Sequence, residues 1–144
     1  MLSNKTKYAI KALIYLAQQE KGALVKTADI STNAQIPKKF LEQILIELKH
    51  ASIVASRQGI GGGYFLLKPP AEVNLRDIHR ILDGAIALLP CASEKFYQPC
   101  RDCPDEQACA LRWSVLQIRD QTLQAMAAIT LEKMVARQGN PIFE

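Results

Sequence analysis

The sequence lacks any apolar stretch approaching the roughly 18 residues that a bilayer-spanning helix needs. Segments such as Leu13–Ala17 and Ala85–Leu89 are far too short. It also lacks a secretory leader pattern, because Lys11 interrupts the only candidate apolar region near its start. A cytoplasmic protein without a membrane partner is therefore expected. Glycine and proline, seven of each, are too sparse for a collagen-like or low-complexity chain. Histidine occurs only as His50 and His79, and neither has a Ser, Cys or Asp at a motif spacing that would build a nucleophilic or acid–base site. No enzymatic activity is expected. Cysteine is absent outside one stretch, residues 91–109. A disulfide framework would distribute its cysteines through the fold, so this clustering favours metal binding or redox chemistry.

What is present is an ordinary globular composition: 144 residues, 49% apolar and 22% charged, enough for one compact domain with an arm reserved for a partner. The net charge of +4 is unevenly distributed. Residues 1–80 carry twelve Lys or Arg against six Asp or Glu, whereas residues 81–144 carry six against eight. A basic front half points to a polyanionic partner.

Hydrophobic periodicity defines the elements. Ile10, Leu13, Ile14 and Ala17 form one face of a first helix, with Ser3 or Asn4 as cap and Gly22 marking its end. Thr27 is the expected cap of a short second helix with Ala28 and Ile30 inward. After the turn at Asn33–Pro37, Pro37 suits the first turn of a third helix, in which Leu41, Ile44, Leu45 and Leu48 face inward. Lys38, Lys39, Glu42, Gln43 and Lys49 occupy the opposite face. Together these form a helix-turn-helix.

The period then changes. Ile53–Arg57 and Tyr64–Lys68 are β-prone and flank Gln58-Gly59-Ile60-Gly61-Gly62-Gly63, so they read as a hairpin that Pro69-Pro70 terminates. A hairpin after a helix-turn-helix is a wing. Asn74 is the expected cap of a fourth helix ending at Gly84, and a long helix follows from about Ala110 to Ile129. The long helix carries two apolar stripes, one with Leu111, Val115, Ile118, Ala125 and Ile129, the other with Leu116, Leu123, Met126 and Ala127. Two stripes need two packing partners, the helix's own domain and a second subunit. Trp113 is expected as a core or dimer anchor. Thr130 should cap a last short helix.

These residues resemble, in order and over residues 1–136, the IscR/NsrR-type (Rrf-two) family of bacterial winged-helix transcription regulators. The resemblance rests on Lys7-Tyr8-Ala9-Ile10-Lys11-Ala12-Leu13, Phe40-Leu41-Glu42-Gln43-Ile44-Leu45, Gly59-Ile60-Gly61-Gly62-Gly63-Tyr64, Cys109-Ala110-Leu111-Arg112-Trp113 and Ile129-Thr130-Leu131-Glu132-Lys133-Met134. It implies a mainly α-helical winged helix-turn-helix with a two-stranded wing and a long C-terminal dimerisation helix. It also implies a homodimer on a near-palindromic double-stranded operator. Residues 1–84 would bind DNA, 85–109 would form a sensor loop, and 110–144 would supply the dimerisation helix and tail. Glu42 and Gln43 stand where family members face bases, and both side chains can read base edges. Lys38, Lys39 and Lys49 would hold phosphates. Arg57, Gln58, Gly61, Gly62 and Tyr64 complete the expected DNA-binding set in the wing. Gln58 replaces the arginine that many members carry there, and Arg57 precedes it.

The cysteines follow the pattern Cys91-x8-Cys100-x2-Cys103-x5-Cys109. The resemblance implies an iron–sulfur cluster, of the 2Fe–2S type first, on Cys91, Cys103 and Cys109. The family's usual fourth ligands are missing: Arg112 stands where some members have His, and the first helix has no acid before Glu20. Cys100 is the expected substitute, with Asp102, Asp105 and Glu106 as alternatives. Structural zinc and metal-free redox thiols remain the competing readings of the same spacing.

Overall fold

The computed structural model describes residues 2–142. Its elements are α1 (Asn4–Ala17), α2 (Thr27–Ala34), α3 (Lys38–His50), β1 (Val54–Arg57), β2 (Gly63–Leu66), α4 (Leu75–Leu82), α5 (Ala110–Ala128) and α6 (Leu131–Arg137), with short 3-10 turns at Pro70–Glu72 and Pro90–Ala92. This is the expected mainly helical winged helix-turn-helix. β1 and β2 pair antiparallel in the register Val54↔Leu66 to Arg57↔Gly63.

Local chemistry explains most boundaries. The Ser3, Asn74 and Thr130 side chains accept from the backbone N–H groups of Thr6, Asp77 and Lys133, capping α1, α4 and α6. α2 departs from expectation: Thr27 is its first helical residue, Lys26 is the cap without a side-chain bond, and Ala28 faces outward. The cause is remote. Val25 is tied to Tyr64 by two backbone bonds of 2.8 Å, and the chain enters the helix directly from that bridge. Pro37 likewise caps α3 rather than lying inside it. Between α2 and α3, Gln35 adopts a left-handed conformation with φ 53°, and the Lys11 ammonium of α1 donates to its carbonyl.

The core lies between α1, α2, α3, the hairpin, α4 and α6. Leu41, Ile44, Leu45 and Leu48 of α3 are buried against Ala9, Ala12 and Leu13 of α1, with Ile30, Val54, Ile78 and Leu131. Each fully buried Leu or Ile contributes roughly 1.5–3 kcal/mol. α6 is part of this core rather than of a loose tail. Leu131 is wholly buried, its N–H donates to Val73 O at 2.7 Å, and Leu75 N–H donates to Ile129 O at 2.9 Å.

α5 packs on α4 and on the Pro90–Ala92 turn. Its two expected stripes are rearranged. Val115 and Leu123 are buried together, with Leu116, Met126 and Ala127 half-buried beside them, while Leu111, Ile118, Ala125 and Ile129 remain exposed. Val115 thus belongs to the inner face. Trp113 is 65% exposed, which removes the core half of its expected role. Among the described residues no helix is long and apolar enough to cross a membrane.

Candidate nucleic-acid interface and cysteine site

α3 presents two faces of opposite character. The inner one is fixed by core packing, which forces Lys38, Lys39, Glu42, Gln43 and Lys49 outward, and all five are exposed. Among the described residues neither Lys38 nor Lys39 takes part in an ion pair, so both charges stay available. Lys49 Nζ donates to Ser56 Oγ of β1 at 2.6 Å, joining the end of α3 to the wing. Glu47 is neutralised by Lys5 of α1 at 2.6 Å.

Two apolar members of this surface escaped the sequence reading. Ile46, 48% exposed, lies three residues after Gln43 on the outward face. Phe40, also exposed, tilts against Tyr8 with ring centroids 6.4 Å apart. The signal was an apolar residue interrupting an otherwise polar helical face.

The wing is a short, glycine-shaped reversal. Gly62 N–H donates to Gly59 O at 3.0 Å. A Cβ on Gly62 would lie 2.2 Å from Arg57 O, and one on Gly63 would lie 2.5 Å from Val25 O. These two glycines are required by close backbone approach. Arg57, Gln58 and Gly61 are exposed at the reversal, Gly62 is partly so, and Ile60 at the tip is fully open to solvent. Tyr64 is half-buried against the core, and its backbone forms the bridge to Val25.

The four cysteines occupy different environments. Cys91 is buried, Cys103 and Cys109 are intermediate, and Cys100 is exposed. Cys103 and Cys109 are brought together. Burial, and after it the neighbouring Cys109 thiol, push the Cys103 thiol above the ordinary range. Cys109 also caps α5, its sulfur accepting from Arg112 N–H at 3.4 Å. Cys100 instead donates to Asp102 Oδ1 at 2.9 Å. That bond pushes the Cys100 thiol up and holds the Asp102 carboxyl down.

Arg112 is the hub of this region. Its Nε donates to Cys91 O at 3.1 Å and lies 3.9 Å from Glu106 Oε2. The same carboxylate oxygen accepts from the Tyr97 hydroxyl at 2.6 Å, and this bond raises the phenol's pKa above its usual value. Glu106 Oε1 is buried without a hydrogen-bond partner. Among the described residues no three His, Cys, Asp or Glu side chains converge as a ready-made metal cage. Thiols are the donor type that thiolate-ligated centres use, but Arg112 reaches Cys91 through its backbone carbonyl, and the described side chains are not assembled around a common point.

Neither histidine builds a catalytic site. His50 is exposed at the end of α3. His79 Nε2 is 3.7 Å from Asp83 Oδ2. Burial opposes the Asp83 charge, but hydrogen bonds from the Ser3 hydroxyl and backbone hold its carboxyl below the ordinary value of 3.8.

Comparison with known proteins agrees with this architecture. The chain is 43% identical to an rrf2-like HTH-type transcriptional regulator of Rhodobacter capsulatus, covering 98% of this chain and 95% of that protein. It superposes on CymR of B. subtilis, the global cysteine regulator, with a TM-score of 0.76 at 25% identity, covering 96% of this chain and 98% of that one. It superposes on T. potens IscR with a TM-score of 0.73 at 23% identity, covering 100% and 92%. Residues 2–137 match the model of a family described as iron-dependent transcriptional regulators, Rrf2, and with α3, the wing and the cysteine segment in place the chain belongs to that family of non-enzymatic DNA-binding regulators.

Proposed function

We propose that this transcription regulator works as a homodimer that reads a near-palindromic operator and senses redox, nitric oxide or iron–sulfur status through a cluster on Cys91, Cys103 and Cys109. The observation that carries the DNA reading is the outward face of α3, unpaired in charge at Lys38 and Lys39 and joined to the wing through Lys49. Lys38 and Lys39 hold phosphates and release counterions, which gives affinity and register without sequence preference. Glu42 accepts from cytosine N4, and Gln43 pairs with adenine. The wing adds Arg57, Gln58 and the backbone of Gly61 and Gly62 beside the same duplex. Tyr64 holds the wing to the core.

The dimer reading rests on α5. Leu111, Ile118, Ala125 and Ile129 form an apolar line that the chain does not cover. Ile118 borders a cleft of about 360 Å3 that Leu2, Leu88 and Met126 also line. A second copy fits this surface, with Trp113 as an anchor. Two α3 helices then enter successive major grooves about 34–36 Å apart. Residues 1–84 bind DNA, 85–109 sense, and 110–144 supply the dimerisation helix and tail, with α5 joining the subunits.

When bound, an iron–sulfur group supplies a redox-active and oxidant-labile charge. The residues of this chain do the rest. Cys109 links the site to the first turn of α5, and Arg112 holds Cys91 and Glu106 in position. The loop joins α4 to α5, so ordering it changes how the two winged units are set against a fixed half-site spacing. The test is anaerobic purification of the full chain with absorbance spectroscopy, metal analysis and operator selection. Iron and sulfide with a visible charge-transfer band, together with selection of a two-half-site duplex, are expected. Stoichiometric zinc or no metal overturns the cluster reading. Failure to select any duplex overturns the DNA reading.

A second reading has its own observation. Cys103 and Cys109, near enough for Cys109 to help push the Cys103 thiol up, suit a metal-free thiol switch, and the same metal analysis separates the two.

A further inference from the structure

We propose that Ile46 is a specificity-determining residue that reads the methyl group of a thymine in the major groove. This inference deepens the DNA reading above and rests on it. An exposed isoleucine means little by itself, since single apolar side chains are common on protein surfaces. Its surroundings give this one a meaning. Lys39, Glu42, Gln43, Lys49 and His50 share its face of α3, and all five are exposed and polar or charged. At about 100° per residue, the buried Leu41, Ile44, Leu45 and Leu48 centre on one side of the helix. Ile46 lies roughly opposite them, between the directions of Glu42 and Gln43, and is 48% exposed. The flanks of this face are already committed. On one side Lys49 is tied to Ser56 of the wing at 2.6 Å. On the other Glu47 is drawn to Lys5 of α1 at 2.6 Å, and Phe40 tilts against Tyr8. If Glu42 and Gln43 face the bases, Ile46 faces them too.

The chemistry of the groove selects the target. Its floor presents hydrogen-bond donors and acceptors and one apolar substituent, the thymine C5 methyl. An isoleucine side chain can satisfy no donor or acceptor, so pressing it on a polar edge strips that edge of water without return. Against a thymine methyl it removes apolar surface from water on both partners. The same side chain thus favours thymine and penalises a polar edge at one position. An α-helix rises about 1.5 Å per residue, and a DNA strand about 3.4 Å per base. Ile46 stands three residues beyond Gln43 and four beyond Glu42. Its thymine is therefore expected about one or two base pairs from those that Gln43 and Glu42 read. The lysines supply affinity that depends on salt, whereas Ile46 carries no charge and acts on sequence preference alone.

In the experiment the full chain first selects its operator from random duplexes. Each thymine of the selected site is then replaced, one position at a time and in both half-sites, by deoxyuridine, which removes only the methyl. Binding to each duplex is titrated for the parent, Ile46→Ser and Phe40→Ala, with circular dichroism confirming that all three are folded. The parent should lose about fourfold in affinity per half-site at one thymine, the worth of one buried methyl. Ile46→Ser should bind the thymine and deoxyuridine duplexes alike at that position, while keeping the parent's salt slope. Phe40→Ala should show the parent's loss. The inference is overturned if no deoxyuridine weakens the parent, if Ile46→Ser retains the parent's loss, or if Phe40→Ala abolishes it instead. A parent that selects no duplex sinks the DNA reading itself, and that outcome is visible before any variant is compared.

Discussion

The winged unit and the cysteine segment are built on different principles. In the first, seventeen buried apolar residues from α1, α2, α3, the hairpin, α4, α6 and their connections interlock, and polar groups serve chiefly as caps. In the second, residues 93–109 form no helix or strand. Cys91, Ala92 and Ser93 are its buried members, and side-chain bonds through Arg112, Tyr97, Glu106 and Arg119 hold the rest. Apolar packing gives a shape that persists whatever binds. A polar network holds its shape through a few side-chain bonds instead. Under the proposed sensing role, the packed unit recognises the same DNA geometry every time and the polar segment is the part soft enough to respond.

The comparison is broken most forcefully in the core. Leu45→Ala removes a fully buried side chain of α3 and should cost about 2–5 kcal/mol in chemical denaturation. Arg112→Ala should leave that transition almost unmoved while raising amide exchange across 91–109. Equal losses from both would erase the distinction between the two regions.

Next comes the open face of α5. Ile118→Glu places a charge in the proposed subunit seam and should convert a dimer to monomers at micromolar concentration, measured by sedimentation. The cost is on the order of 3–5 kcal/mol for an uncompensated buried charge. A monomeric parent would mean that α5 serves only its own domain.

Ser3→Ala tests the polar contribution inside the packed unit. Ser3 caps α1 and donates to Asp83, so about 1–2 kcal/mol should be lost. Asp83 has a depressed folded pKa. Its contribution is therefore present above the ordinary carboxylate value and disappears as pH falls through the lower folded one. The variant should show a smaller stability loss on acidification from pH 5 than the parent, and an identical acid limb would refute the role of Asp83.

The smallest effect belongs to the surface. Lys39→Ala should weaken binding to all duplexes alike and reduce the slope of log K against log salt by about one unit, without changing stability. Glu42→Ala should change base preference instead. Two variants indistinguishable from the parent on a selected operator would mean that α3 is not the reading element.

Legibility followed the same division. Ser3, Asn74 and Thr130 were readable as caps because the bonds they make lie within three residues. The face of α3 was readable because its apolar period recurs along a 13-residue helix. Thr27 was misread because its surroundings are fixed by Tyr64, thirty-seven positions later, through a backbone bridge that leaves no mark on residue choice. Leu131 gave no sign of its burial, since a helix as short as α6 has too few turns for a pattern. In the cysteine segment, spacing identified the thiols but not their partners. Cys100 was set apart from the other three by the resemblance, and its exposure and its bond to Asp102 add a physical difference. Glu106 was one acid among several until the fold enclosed one of its oxygens.

The sulfur of Cys109 closes α5 at its first turn and at the same time belongs to the thiol pair. One atom is thus shared between a helix start and a chemical site, and its hydrogen bond to Arg112 N–H strengthens when that sulfur carries negative charge. Thermodynamic reciprocity then runs in both directions. Whatever draws charge onto Cys109 stabilises the beginning of α5. Whatever holds α5 firmly, a second subunit or an operator that fixes two subunits at one spacing, raises the readiness of Cys109 to accept a cation. If the site holds a metal as proposed, DNA bound at one end of the molecule would make it harder to strip, and the ratio of metal-loss rates without and with operator would equal the ratio of operator affinities with and without metal if operator leaves the metal-binding rate unchanged.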